Sequence, residues 1–179
     1  VWWEKQDGLP RRLRVSRISE KLKKYIWYIC IIVLIQLMIG AYLSTSYHRA
    51  ACNIGFYEGW PLCQNSILPV LKQFGIMLNY GHRVSAVVVG ALLLYVEREA
   101  NNEFKDSKAI VKVMLKTAGI IYFINIILGG LYVVTAVDGV FLGWLSLLHL
   151  LVGVCVFLTL ATTYLLINIS EQEVNNVSN

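Results

Sequence analysis

Four stretches of the chain, residues 26–47, 74–96, 113–137 and 140–168, carry few or no charges. Each is long enough to cross a bilayer as a helix, since about 20 apolar residues span the ~30 Å hydrocarbon core. A helix of that length with no polar face is unusual in a water-soluble fold. Hydrophobic residues make up 57% of the 179, against roughly 45–50% in an ordinary soluble domain, and the charged residues sit between the apolar stretches. The expected fold is an all-α membrane protein, a four-transmembrane-helix bundle with a cysteine-containing outer loop. Its helices are expected at about 25–46, 73–96, 113–137 and 140–169.

The first apolar run begins only after residue 25 and is too long for a cleaved signal peptide, so it reads as a retained span. Before it lie eight basic residues, Lys5, Arg11, Arg12, Arg14, Arg17, Lys21, Lys23 and Lys24. The positive-inside rule puts that end in the cytoplasm. Arg98, Lys105 and Lys108 in the loop 97–108 fall on the same side, as two crossings require. The division is a basic cytoplasmic leader (1–24), a four-helix transmembrane domain (25–169) and a cytoplasmic tail (170–179). The protein is expected to be multi-pass in the cell membrane, with both termini cytoplasmic. The net charge of +5 is then a topology and lipid-surface signal and points to no nucleic acid. Residues 11–25 read equally as a short amphipathic helix on the bilayer or as a solvated basic leader. The outer loop 47–69 holds Trp60, Phe56 and Tyr57, aromatics expected at headgroup depth. A short outer turn near Asp138-Gly139 makes the last two helices an antiparallel pair. No internal repeat is evident.

Within these spans two histidines stand out. His82 lies nine residues beyond Gln73 and His149 nine residues beyond Val140. At 1.5 Å per residue each is roughly 13 Å deep from the outer edge. Ionisable residues inside a span are costly and mark function by default, and two at one depth suggest one ligand between them. Zinc wants three or four donors, and a proton relay wants acids; no carboxylate lies at this depth. A heme needs two axial imidazoles and an apolar slot, which helical bundles provide. His82 and His149 are therefore the candidate ligands of a heme iron. Arg83 is placed to pair with a heme propionate through a charge-assisted hydrogen bond. The competing reading is that both histidines only hydrogen-bond across helices. His48, in the outer loop, reads as an interfacial residue.

Cys52 and Cys63 lie in the outer loop, on the side where disulfides persist. Closing so short a loop contributes about 3 kcal/mol in the chain-entropy model. A disulfide is expected, with a redox-active or heme-reactive thiol pair as the alternative. Cys30 and Cys155 fall within helices and read as small packing residues.

Four segments carry a family resemblance. "IGAYLSTSYHRAACNIGFYEGWPLC" (39–63), "GHRVSAVVVGALLL" (81–94), "ILGGLYVVTAV" (127–137) and "LLHLLVGVCVF" (147–157) are similar to segments of the heme A synthase family, an assembly factor for cytochrome oxidase. The resemblance covers about residues 36–160 and is carried mainly by W-P-L-C with the H-R downstream. It implies an oxidoreductase that converts the methyl group of heme O to the formyl of heme A for terminal oxidases. The cofactors it implies are heme b and/or heme O/A. The usual member has eight helices in two related halves; this chain resembles the first half. A homo-oligomer, or a place in a larger respiratory membrane complex, is therefore expected. Contacts through Gly40, Gly129 or Gly130 would serve it if these face outward. The family has a glutamate three residues before the first histidine, where this chain has Asn79. Asn79 is thus the candidate catalytic position, but an amide does not exchange protons as a carboxylate does. It could instead hydrogen-bond a water, the heme edge or a neighbouring helix. The alternative function is a non-catalytic bis-histidine heme-b subunit of a respiratory complex, or a heme chaperone.

Overall fold

The computed structural model describes residue 15, residues 18–105 and residues 109–178, with side chains to residue 172. Most of the basic leader, including Arg11, Arg12, Arg14 and Arg17, therefore lies outside the described residues, as does Lys108. Four helices follow one another: α1 (Glu20–Thr45), α2 (Phe74–Glu103), α3 (Ile110–Val134) and α4 (Gly143–Ser178). All four are long and apolar enough to cross a membrane. Among the described residues each helix touches its two neighbours in the cycle α1–α2–α3–α4, while α1 and α3, and α2 and α4, face each other diagonally without direct contact.

The helices overrun the apolar stretches at one end. Residues 97–103, expected as a solvated loop, continue α2; α1 starts at Glu20 and α4 runs on past residue 169. Glu, Lys, Arg and Ala are good helix formers in water, so the helix continues where the hydropathy signal stops. The first turn of α1 is capped by Ser19, whose Oγ accepts from Leu22 N at 3.2 Å, as an N-cap should. Ser19 in turn donates to Glu103 of α2. Lys21 pairs with Glu99 at 3.1 Å and Lys23 with Glu171. These contacts tie α1 to α2 and α4 at what is here termed the charged end.

Between the charged end and mid-bundle the core is solid. Val89, Leu93, Val96 and Ala100 of α2 are buried, as are Val111, Leu115, Ala118 and Tyr122 of α3. Val156, Leu160, Thr163 and Ile167 of α4 complete it. The spacing of four and three residues places each set on one helix face. Thr163, the polar member, donates to Thr159 O at 2.7 Å, so it leaves no unpaired group. Cys30 is buried as expected, but Cys155 is exposed and packs nothing, because it lies on the outward side of α4.

The other end, termed the loop end, is built differently. Residues 46–73 begin with a 3-10 turn, Tyr47–Ala50, and close on a Cys52–Cys63 disulfide. Both cysteines are buried against Ile76. Gly55 N donates to Val133 O at 3.1 Å, which pins this loop to the end of α3. The connection from α3 to α4 runs from Thr135 to Leu142, longer than expected. Asp138 and Gly139 both have positive φ, 50° and 76°, and Val137 and Val140 exchange backbone hydrogen bonds. This is the geometry that Asp-Gly favours in a tight reversal.

Candidate heme-binding cavity

At the loop end the four helices separate around a cavity of about 290 Å³, near the lower bound of small-molecule sites. His82 and His149 both line it. They come from α2 and α4, the diagonal pair, so they face each other across the bundle axis rather than along a helix contact. His82 is eight residues into α2, roughly 12 Å, and His149 six residues into α4, roughly 9 Å. The expected equal depth is only approximate, because α4 starts at Gly143 rather than Val140. Nevertheless the two rings reach one space.

Each histidine rests on a glycine of the preceding helix. A Cβ at Gly40 of α1 would lie 3.1 Å from His82 Cε1. A Cβ at Gly129 of α3 would lie 2.8 Å from His149 Cε1. Four residues before each glycine, on the same helix face, stands an amide: Gln36 on α1 and Asn125 on α3. Gln36 Nε2 donates to His82 O at 2.8 Å, and its Oε1 accepts from Ser85 Oγ at 2.6 Å. Asn125 O lies 2.9 Å from His149 Nδ1. A carbonyl can only accept, so Nδ1 carries the proton and Nε2 the lone pair. That second hydrogen bond is how metal-ligating histidines are oriented. Each helical pair thus contributes amide, glycine and histidine, a local repeat that a residue-by-residue comparison of the two halves misses. Its signal was the matched spacing of Gln36 to Gly40 and Asn125 to Gly129.

Arg83 and Asn79 hold the loop over this space. Arg83 Nε donates to Asn79 Oδ1 at 3.0 Å. Arg83 Nη1 donates to Leu62 O at 2.8 Å and to Gly59 O. Asn79 Nδ2 donates to His48 O at 3.2 Å and Arg49 O at 3.1 Å. Asn79 is buried, with both ends of its amide engaged. Only a group that donates and accepts can satisfy two carbonyls and a guanidinium together. Of the three loop aromatics, Trp60 turns inward. A Cβ at Gly130 would meet its ring at 2.7 Å, and the indole lines the cavity; Phe56 and Tyr57 stay exposed. His48 lies outside the cavity wall, stacked among Tyr42, Tyr47 and Phe74. Gly40, Gly129 and Gly130 all face inward, so the condition for their use between chains is not met.

The chemistry of the wall fits a bis-imidazole heme. Among the described residues no group of three or more His, Cys, Asp or Glu gathers, which leaves two imidazoles without a third such donor. Among the described residues the buried side-chain nitrogens and oxygens lacking a partner are His82 Nδ1, Arg83 Nη2 and Asn125 Oδ1, and all three residues line this one cavity. Arg49 also lines it, and its guanidinium lies 5.2 Å from the Phe141 ring. Among the described residues none that lines the cavity is acidic. Two cations, two imidazoles and a wall of mostly apolar residues with a few uncharged polar ones suit a flat apolar ligand with carboxylates on one edge.

A methyl group at Gly129 should show how tightly the second imidazole is held. Gly129→Ala is expected to push the His149 ring aside and weaken its bond to Asn125 O, while costing about 1–3 kcal/mol of stability through overpacking. Resonance of the bound-heme iron before and after the substitution reads the ligand change, and an unaltered signal would mean that the ring has room to spare.

A family model described as cytochrome oxidase assembly protein matches residues 1–165. The chain is also similar to a protein named heme A synthase from Shouchella clausii (strain KSM-K16), at 24% identity over 106 residues. That match takes in 59% of this chain and 34% of the other, so it spans about a third of that protein's length. No solved structure matches.

Proposed function

The chain belongs to the cytochrome oxidase assembly protein family, and from that premise we propose that it binds heme between His82 and His149 and acts as a heme A synthase-type oxidoreductase on heme O. It is a multi-pass membrane protein. The observation that carries the proposal is the convergence of the two histidines, from diagonal helices, on one acid-free cavity. The named relative, a heme A synthase, supports it. A bound heme would supply the iron and its redox couple. The chain supplies the rest. His149, fixed by Asn125 O, presents Nε2, and His82 faces it from α2. Arg83 Nη2 and Arg49 would hold the heme's carboxylates at the loop end. Trp60 and the loop exclude water. In this reading the charged end faces the cytoplasm of the cell, with both termini there, and the loop end faces outward. Lys21, Lys23 and Lys24 near the start of α1 support that orientation. Assembly with a second copy, or with other subunits of a respiratory complex, belongs to the same proposal.

A second reading, a heme-b electron carrier or heme-delivering subunit, is favoured by one observation. Where a proton-exchanging carboxylate is expected, Asn79 is an amide committed to Arg83, His48 and Arg49. Turnover by the unmodified chain is accordingly expected to be slow. Asn79→Glu should raise it, because a carboxyl exchanges a proton where an amide does not. It should also cost about 1–3 kcal/mol, since two donated hydrogen bonds to backbone carbonyls are lost. Co-expression with a heme O supplier, then chromatography of extracted hemes, decides between the readings. Heme A from either version supports the oxidoreductase; its absence from both leaves the carrier.

A further inference from the structure

Of the four side chains Gln36, Asn79, Tyr122 and Asn125 on the cavity wall, the protein satisfies three. Gln36, Asn79 and Tyr122 are satisfied: Gln36 by His82 O and Ser85, Asn79 by Arg83 and two carbonyls, and Tyr122 by Ala86 O at 2.8 Å. Asn125 is not. Its backbone carbonyl serves His149, but its side-chain Oδ1 is buried without a partner, and its amide makes no hydrogen bond among the described residues. Asn125 stands nine residues from the loop end of α3, roughly 13 Å into the span. Water is scarce there, and an unpaired amide is costly. Its Nδ2 is close to α4, where a Cβ at Gly153 would come within 3.1 Å. The orphaned atom is therefore an acceptor, at the level of the imidazoles and away from the arginines.

We propose that Asn125 Oδ1 accepts a hydrogen bond from a hydroxyl on the bound heme, so that the cavity selects hydroxyl-bearing hemes over those lacking the group. This rests on the heme reading above and adds the substrate's chemistry to it. Carboxylates paired with Arg83 and Arg49 would lie toward the loop end, and the ligand's other substituents would be left to the rest of the wall, Asn125 included. Methyl and vinyl substituents have no hydrogen to donate to an amide oxygen, and an ionised carboxylate has none either. A hydroxyl does, and heme O carries one where heme b carries none. A site that hydrogen-bonds a substrate hydroxyl discriminates against the analogue without it, because its own polar group is then left unpaired.

The test is affinity, read from the spectrum of the purified full chain in detergent titrated with heme O and with heme b. In the unmodified protein the ratio of the two dissociation constants contains both the hydroxyl and the isoprenoid tail. Asn125→Leu removes the acceptor at similar volume and leaves the tail's contribution in place. The preference for heme O should fall roughly three- to tenfold, the range for one net hydrogen bond, and the ligand-free protein should unfold at a higher temperature. Asn125→Ala provides the same ratio if the leucine variant does not fold. A ratio unchanged in the variant, with both hemes still bound, overturns the role of Asn125 alone. A lower unfolding temperature of the leucine variant makes Asn125 a packing residue and overturns it too. Failure of the unmodified chain to bind either heme overturns the heme reading itself.

Discussion

Replacing His82 or His149 by alanine is expected to abolish six-coordinate, low-spin heme binding. Both rings line one cavity, and among the described residues that line it there is no cysteine or acid to take over. The remaining imidazole would hold a five-coordinate iron at best. Heme content should drop at least about tenfold, for which a loss of only about 1.4 kcal/mol suffices. The fold should survive, because the solid core lies nearer the charged end and neither histidine belongs to it. The reduced-minus-oxidised spectrum of each purified variant, beside its helical content, is the measurement. Unchanged axial ligation in either variant would remove that histidine from the site.

The second large effect concerns Arg83. Its side chain joins Asn79 on its own helix to the loop carbonyls of Gly59 and Leu62. Arg83→Leu deletes those hydrogen bonds at once and leaves three acceptors unpaired beneath the loop. Each bond to a charged donor is worth about 1.5–3 kcal/mol, so a loss of more than about 3 kcal/mol is expected. The loop should then detach from the bundle even though Cys52 and Cys63 remain joined. Limited proteolysis within residues 46–73, with thermal unfolding in detergent, reads both consequences. Arg83→Lys should recover only part, because an ammonium is a point donor and cannot span three acceptors as the guanidinium fork does. A leucine variant as stable and protease-resistant as the parent would show that the disulfide and Gly55 hold the loop without Arg83.

The four spans were legible in the sequence because hydropathy is a local property, summed over about twenty consecutive residues. His82 and His149 were legible for the same reason, since an ionisable group in an apolar run is conspicuous wherever the run folds. The Cys52–Cys63 pairing followed from short separation within one loop. Helix ends at the charged side were misjudged, because residues 97–103 are both polar and helix-forming and hydropathy reports only the first property. Only the tertiary structure decided which faces turn inward. Helices apolar on every side give no stripe to read, so Gly40, Gly129 and Gly130 could as well have faced lipid. That α2 and α4 lie diagonally opposite, and so hold their histidines apart, depends on packing between helices. The same holds for Trp60 turning onto Gly130, for Asn79 bridging loop and arginine, and for Asn125 left with an unpaired oxygen. Each is a relation between residues distant in the chain, and a linear sequence carries the partners without carrying their encounter.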